Sequence, residues 1–77
     1  MDPRYLKQGD VNFALAHASE EAGELCAAIG KTLRWGLYSV NPELPPAQQE
    51  TNCIWVRREM ADLRSALDRL EAELDAS

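Results

Sequence analysis

The chain is poor in basic residues: eight Lys and Arg stand against thirteen Asp and Glu, which gives a formal net charge of −5. A protein that binds nucleic acid without regard to sequence needs a basic face, so we expect no nucleic-acid partner. Long apolar runs are missing, and no basic stretch followed by an apolar one stands at the start. We therefore expect neither a membrane-spanning nor an exported protein, and we expect a cytoplasmic location.

Metal ligands other than carboxylates are also scarce. Cys26 and Cys53 are too far apart in sequence to form a C-x-x-C site, and without an export signal we expect them to be reduced, buried and without function. His17 is the only histidine, whereas di-iron carboxylate bundles use E-x-x-H pairs, so the sequence argues against iron. A metal bound by this chain would have to use oxygen ligands.

The chain is short as well. Seventy-seven residues make at most one domain, covering 1–77, and a chain of this length buries a small fraction of its surface when it folds alone. Self-association is therefore the expected way to complete a core.

Apolar residues recur at helical spacing in both halves and predict an all-α hairpin. The first helix is predicted at about 10–35 and the second at about 48–75, because apolar positions step by four and three in each. The first eight residues show no such period and are interpreted as a frayed lead-in or as an arm that reaches a partner. The predicted core stripes are Val11, Leu15, Ala18, Ala22, Leu25 and Ile29 in the first helix, and Val56, Met60, Leu63, Leu67, Leu70 and Leu74 in the second.

The predicted loop at about 36–47 is defined by its prolines. Asn41-Pro42 and Pro45-Pro46 remove backbone donors that a helix needs and favour extended geometry in the residues before them. We expect Asp10 to cap the first helix and Gly36 to end it in a left-handed conformation. A loop of about a dozen residues is longer than most helix-to-helix connections, which favours a functional role.

One apolar stripe on each of two helices cannot be fully covered within a hairpin. Pairing two hairpins into a four-helix bundle buries both stripes. The sequence therefore predicts a homodimer or a homotetramer.

Two acidic motifs are the most informative feature of the chain. Residues 20–24 read E-E-x-x-E, and Glu59 and Asp62 form an E-x-x-D pattern. Residues three or four apart share one side of a helix, so each motif points its carboxylates in one direction, where like charges repel. Gathering them at one spot indicates a cation, and oxygen ligands favour Mg²⁺ or Mn²⁺ over zinc.

Each helix carries a second row of residues beside its apolar stripe. Antiparallel packing would bring the two rows together, so that four carboxylates converge on one volume. The alternative is an ordinary solvated surface, but Trp, Asn and Phe are uncommon on such a surface. The rows are Phe13, His17, Glu20 or Glu21, Glu24, Ala28, Lys31 and Trp35 in the first helix, and Asn52, Trp55, Glu59, Asp62 and Ala66 in the second.

The two motifs in this order resemble the MazG-like members of the all-α nucleoside triphosphate pyrophosphohydrolase superfamily, which also includes the dimeric dUTPases. The resemblance covers roughly residues 13–70 and is closest to the compact proteins of phage and bacterial genomes. Besides the motifs it includes the segments Ala16–Glu24, Gly30–Gly36, Asn41-Pro42 and Glu50–Asn52.

The resemblance implies a bundle built from more than one chain that hydrolyses a nucleoside triphosphate between the α and β phosphates. The products would be the nucleoside monophosphate and pyrophosphate. Matched position by position, Glu21 and Glu24 would be the first pair of Mg²⁺ ligands, and Glu59 and Asp62 the second. Glu20 matches the leading acid of the motif and is interpreted as a group that orients or deprotonates water.

Three other side chains are candidates for contacts with phosphate. Lys31 lies two turns beyond Glu24 on the same row and is the first choice, followed by Arg34. A positively charged side chain in the last turn of a helix also interacts favourably with the helix dipole, which explains Arg34 equally well. His17, one turn before Glu21, is placed to touch a phosphate or a ligand carboxylate.

The base and sugar of a nucleotide would need stacking surfaces and amide groups. Trp35, Trp55 and Tyr38 supply the aromatic surfaces, and Asn52 supplies a side-chain amide that can both donate and accept a hydrogen bond. Each Trp is equally interpretable as part of the packing between helices.

The competing interpretation is a non-catalytic helical dimer that acts as a regulatory or interaction module. Such a protein would keep the helices and the assembly without turnover. Pyrophosphate release from a nucleoside triphosphate separates the two interpretations.

Overall fold

Two antiparallel α-helices and a loop between them form the chain in a computed structural model, which describes residues 9–76. Helix α1 spans Gly9–Trp35 and helix α2 spans Asn52–Ala76, with one 3-10 turn at Pro46–Gln48 between them. The predicted all-α hairpin is thus confirmed, and the predicted lead-in or arm lies outside the described residues. Within the described part, neither helix is both long enough and apolar enough to cross a membrane.

The helix ends show which local signals the sequence carried. Gly36 has φ 95°, and its N–H donates to Thr32 O at 2.8 Å, so the predicted left-handed helix end is confirmed. Asp10 lies inside the first turn of α1, not at a cap position. Helix α2 begins at Asn52, later than the predicted start near residue 48, because the Thr51 hydroxyl accepts from Ile54 N at 3.3 Å and caps it there.

The start of α2 is fastened to the loop that leaves α1. Asn52 N–H donates to Ser39 O at 3.0 Å, and Cys53 N–H donates to Leu37 O at 2.8 Å. The Asn52 side-chain Nδ2 donates to Gly36 O at 2.9 Å. Loop carbonyls therefore satisfy N–H groups that a helix start leaves unpaired, and they hold the ends of the two helices together.

The interface between the helices is made by small residues. Ala14 and Ala28 are fully buried, Ala66 is 1% exposed and Ala18 is 8% exposed. No large side chain of the described residues is fully buried. Alanine lets two helix backbones approach closely. Ala28 and Ala66 belong to the second rows, whereas Ala18 belongs to the predicted core stripe of α1.

The predicted core stripes are partly covered within the chain, as expected for stripes that a hairpin cannot fully bury. Ala18 is buried, and the half-buried stripe residues are Val11, Ala22, Leu25, Val56, Met60, Leu63 and Leu70. The other stripe residues, Leu15, Ile29, Leu67 and Leu74, are between 42% and 51% exposed. Cys26 is also exposed, against the expectation of burial, although both cysteines are free as predicted.

Candidate functional site

Antiparallel packing brings acids of both motifs together on the inner faces of α1 and α2. Glu21, Glu59 and Asp62 each offer an oxygen, and these oxygens all lie within 4.8 Å of one another. We call these three residues the acidic cluster. The packing of the two rows thus brings together three of the four residues that were predicted as metal ligands.

Burial makes this cluster different from a solvated acidic surface. The side chains of Glu21 and Glu59 are only 14% and 10% exposed. Glu21 Oε2 and Glu59 Oε2 are buried and have no hydrogen-bond partner among the described residues. A buried carboxylate oxygen without a partner costs free energy, and a second one nearby adds repulsion, so the donor set fits a cation.

The other oxygen of each buried carboxylate is engaged. Glu59 Oε1 accepts from Trp55 Nε1 at 3.2 Å and lies 3.9 Å from Arg58 Nη2. Glu21 Oε1 lies 3.5 Å from His17 Nε2, so His17 contacts one of the predicted ligand carboxylates. Glu59 is therefore held through Oε1 and Glu21 contacts His17 through Oε1, while the Oε2 atom of each acid has no partner among the described residues.

Glu24 is the fourth predicted ligand and lies outside the acidic cluster. The pKa of its carboxyl is raised above the ordinary value, first by the Glu21 carboxylate, then by desolvation, and further by Glu59 and Glu20. Its protonated form also hydrogen-bonds to Glu21. Glu24 therefore belongs to the same electrostatic neighbourhood, while Glu20 is exposed and contributes only through its charge.

The spacing of the cluster suits a divalent ion without selecting one. Mg²⁺ binds oxygen at about 2.0–2.1 Å, so opposite ligands of an octahedron lie about 4.2 Å apart. Ca²⁺ binds oxygen at about 2.3–2.6 Å, which sets opposite ligands about 4.6–5.2 Å apart. The 4.8 Å limit accommodates either ion with small side-chain movements.

A cleft of about 790 Å³ lies between the end of α1, the loop and the start of α2, and none of the four predicted metal ligands is among its lining residues. Its volume falls in the range of small-molecule sites. Trp55 lines the cleft and also contacts Glu59, so the cleft and the cluster share a wall. The lining residues are Lys31, Trp35, Ser39, Val40, Asn41, Pro42, Glu43, Leu44, Glu50, Asn52, Trp55 and Arg58.

The predicted substrate contacts divide between this cleft and the outer surface. Lys31, Trp35 and Asn52 line the cleft, although the Asn52 Nδ2 group is already engaged by a loop carbonyl. Arg34 is exposed in the last turn of α1 and does not line the cleft. Its position fits an interaction of its positive charge with the helix dipole. Tyr38 is 80% exposed and is likewise outside the lining.

Arg58 and Glu50 are cleft residues that the sequence analysis missed. The Arg58 side chain is 55% exposed, its Nη2 lies 2.8 Å from Glu50 Oε1, and both residues line the cleft. Helical spacing could have predicted the position of Arg58, because it is three residues after Trp55 and four before Asp62 and so lies on the same side of α2. Glu50 had no such signal, because its position depends on the path of the loop.

The chain has no significant match among known protein families, curated proteins or solved structures.

Proposed function

We propose that the chain is a Mg²⁺-dependent nucleoside triphosphate pyrophosphohydrolase, a hydrolase that releases pyrophosphate and a nucleoside monophosphate. The observation that carries the proposal is the pair of buried, unpartnered oxygens on Glu21 and Glu59, with Asp62 beside them. Two helices supply these groups, and a cleft of nucleotide size adjoins them. The resemblance to MazG-like proteins supports the same reaction class.

The acidic cluster would hold the ion at the end of the cleft nearest Trp55. Bound Mg²⁺ neutralises phosphate charge and lowers the pKa of water, which is the chemistry that cleavage of a phosphoanhydride needs. Mn²⁺ has the same ligand preference and is an alternative ion. The two unpartnered oxygens support an ion at this end of the cleft.

Other residues would position the substrate and the attacking water. Lys31 supplies a positive charge inside the cleft, next to the position proposed for the triphosphate. Trp35 offers an exposed ring for the base, since it is 66% exposed while lining the cleft. Glu20, exposed beside Glu21, would accept the proton of the attacking water, and Glu24 would add a fourth carboxylate around the ion.

We further propose that the active form is a homodimer or homotetramer built as a four-helix bundle. Leu15 and Ile29 on α1 and Leu67 on α2 are large apolar side chains that the hairpin leaves about half exposed, and we call them the apolar seam. Burying such a seam against a second copy would supply the large-side-chain core that the described residues of one chain lack.

A pyrophosphate-release assay tests the proposal. A panel of canonical and modified nucleoside triphosphates is incubated with Mg²⁺ or with a chelator, and release is expected only with Mg²⁺. Glu24→Ala should abolish release while the helical circular dichroism signal is retained. Glu71→Ala is the matched control, because Glu71 is also an exposed helical glutamate but lies about 18 Å along α2 from Glu59.

Equal release by Glu24→Ala and the unaltered protein would show that the site is assigned wrongly. A folded oligomer that releases no pyrophosphate from any member of the panel would favour the regulatory or interaction module instead.

A further inference from the structure

Trp55 is the residue that joins the cleft to the acidic cluster. Its side chain lines the cleft, while its indole Nε1 donates to Glu59 Oε1 at 3.2 Å. Glu59 Oε2, on the same carboxylate, is buried without a partner among the described residues. The indole N–H therefore acts on the acid that the proposed metal site needs most.

We propose that Trp55 is a positioning residue that fixes the Glu59 carboxylate, so that Oε2 is presented to the shared cation. The inference rests on the metal site of the proposed function. A glutamate has three side-chain torsions, and the last is broad, so an unheld carboxylate samples many orientations. A hydrogen bond to one oxygen removes most of that freedom before the ion binds.

Arg58 makes this restraint necessary. Its Nη2 lies 3.9 Å from Glu59 Oε1 and 2.8 Å from Glu50 Oε1. If the indole N–H were absent, rotation of Glu59 toward Arg58 would form a closer ion pair and withdraw the carboxylate from the cluster. Partners that hold metal-ligating groups in this way commonly contribute about 10- to 100-fold to metal affinity.

Trp35 provides a matched control within the same cleft. It is the second tryptophan of the chain and also lines the cleft. It is not part of the hydrogen bond to Glu59. Trp35→Phe and Trp55→Phe thus make the same chemical change in the same cleft, and only the second removes a donor to an acid of the cluster.

Mn²⁺ affinity, measured from the electron paramagnetic resonance signal of free Mn²⁺, tests the inference without using turnover. Trp55→Phe is expected to bind Mn²⁺ at least about 10-fold more weakly than the unaltered protein, and Trp35→Phe is expected to bind it equally well. In Trp35→Phe the only remaining tryptophan is Trp55, so adding Mg²⁺ should change its fluorescence emission. This response reports that Trp55 lies next to the ion, and the difference in Mn²⁺ affinity between the two variants reports the positioning role.

The outcomes separate the inference from the proposed function. Equal Mn²⁺ affinity of Trp55→Phe and the unaltered protein, or equal weakening by both tryptophan variants, would overturn the positioning role alone. Absence of Mn²⁺ binding by the unaltered protein would overturn both proposals. If Trp55→Phe fails to fold, the emission of Trp35→Phe decides, and no response to Mg²⁺ would overturn the role of Trp55.

Discussion

Replacing Glu59 with Gln should stabilise the metal-free protein, although Glu59 is its most buried charged residue among those described. Glu59 and Glu21 present oxygens within 4.8 Å of each other. At that separation two unit charges repel by about 3.5 kcal/mol at an effective dielectric constant near 20, and by about 0.9 kcal/mol in bulk water. Since both side chains are slightly exposed, we expect Glu59→Gln to raise the free energy of unfolding by roughly 1–3 kcal/mol in chelator.

Magnesium should reduce or reverse this advantage. An ion that binds only the folded state at ten times its dissociation constant adds about 1.4 kcal/mol to stability. The unaltered protein should gain that amount in excess Mg²⁺, while the variant, which lacks one carboxylate, should gain less. Urea unfolding followed by circular dichroism measures both effects, at one fixed protein concentration because an oligomer makes the midpoint concentration-dependent.

Glu71→Gln is the control for the general effect of removing an acid from this negatively charged chain. It should shift the urea midpoint slightly and equally with and without Mg²⁺. The reasoning is refuted if Glu59→Gln is less stable than the unaltered protein in chelator. It is also refuted if Mg²⁺ stabilises the unaltered protein and the variant to the same extent.

Other predictions concern pH, the helix end and the apolar seam. The pKa of Glu24 in the folded protein is raised above 4.5, so the folded state binds more protons than the unfolded state. The free energy of unfolding of the metal-free protein should therefore fall as pH rises from about 4.5 through that raised value. Glu24→Gln should flatten the dependence of the urea midpoint on pH. Gly36→Ala should lower the stability by about 1–2 kcal/mol. The cause is the φ of 95° alone, because an added Cβ would meet nothing within 4 Å. Gly23→Ala inside α1 should instead raise the stability by about 0.5–1 kcal/mol, and thermal melts measure both changes. Leu67→Lys should dissociate the proposed oligomer and so lower the mass measured by light scattering, and an unchanged mass would contradict the proposed seam.

Periodicity and local chemistry carried much of the fold. The four-and-three spacing sets a helix whatever its partner, so α1 begins and ends within one residue of its predicted bounds. The left-handed end of α1 at Gly36 was predictable, because few residues other than glycine tolerate a positive φ. The start of α2 was not, because it depends on Thr51 and on loop carbonyls that are distant along the chain.

The pairing of faces was harder to predict than the helices themselves. A stripe of leucines indicates burial but does not say which chain supplies the cover, and Leu15 and Leu67 stay about half exposed within the hairpin. Helical spacing did predict that Glu21, Glu59 and Asp62 would meet. It gave no information on the pairing of Arg58 with Glu50, which joins a helix to an irregular segment.

The hydrogen bonds from Asn52 and Cys53 to Ser39 and Leu37 close the base of the loop. Residues 40–49 therefore leave and return near one fixed point, apart from the Thr51 cap and from the Glu50 carboxylate that pairs with Arg58. Several of these residues form one wall of the cleft. Changes of length or composition within this segment should thus reshape the cleft wall while Glu21, Glu59 and Asp62 keep their arrangement.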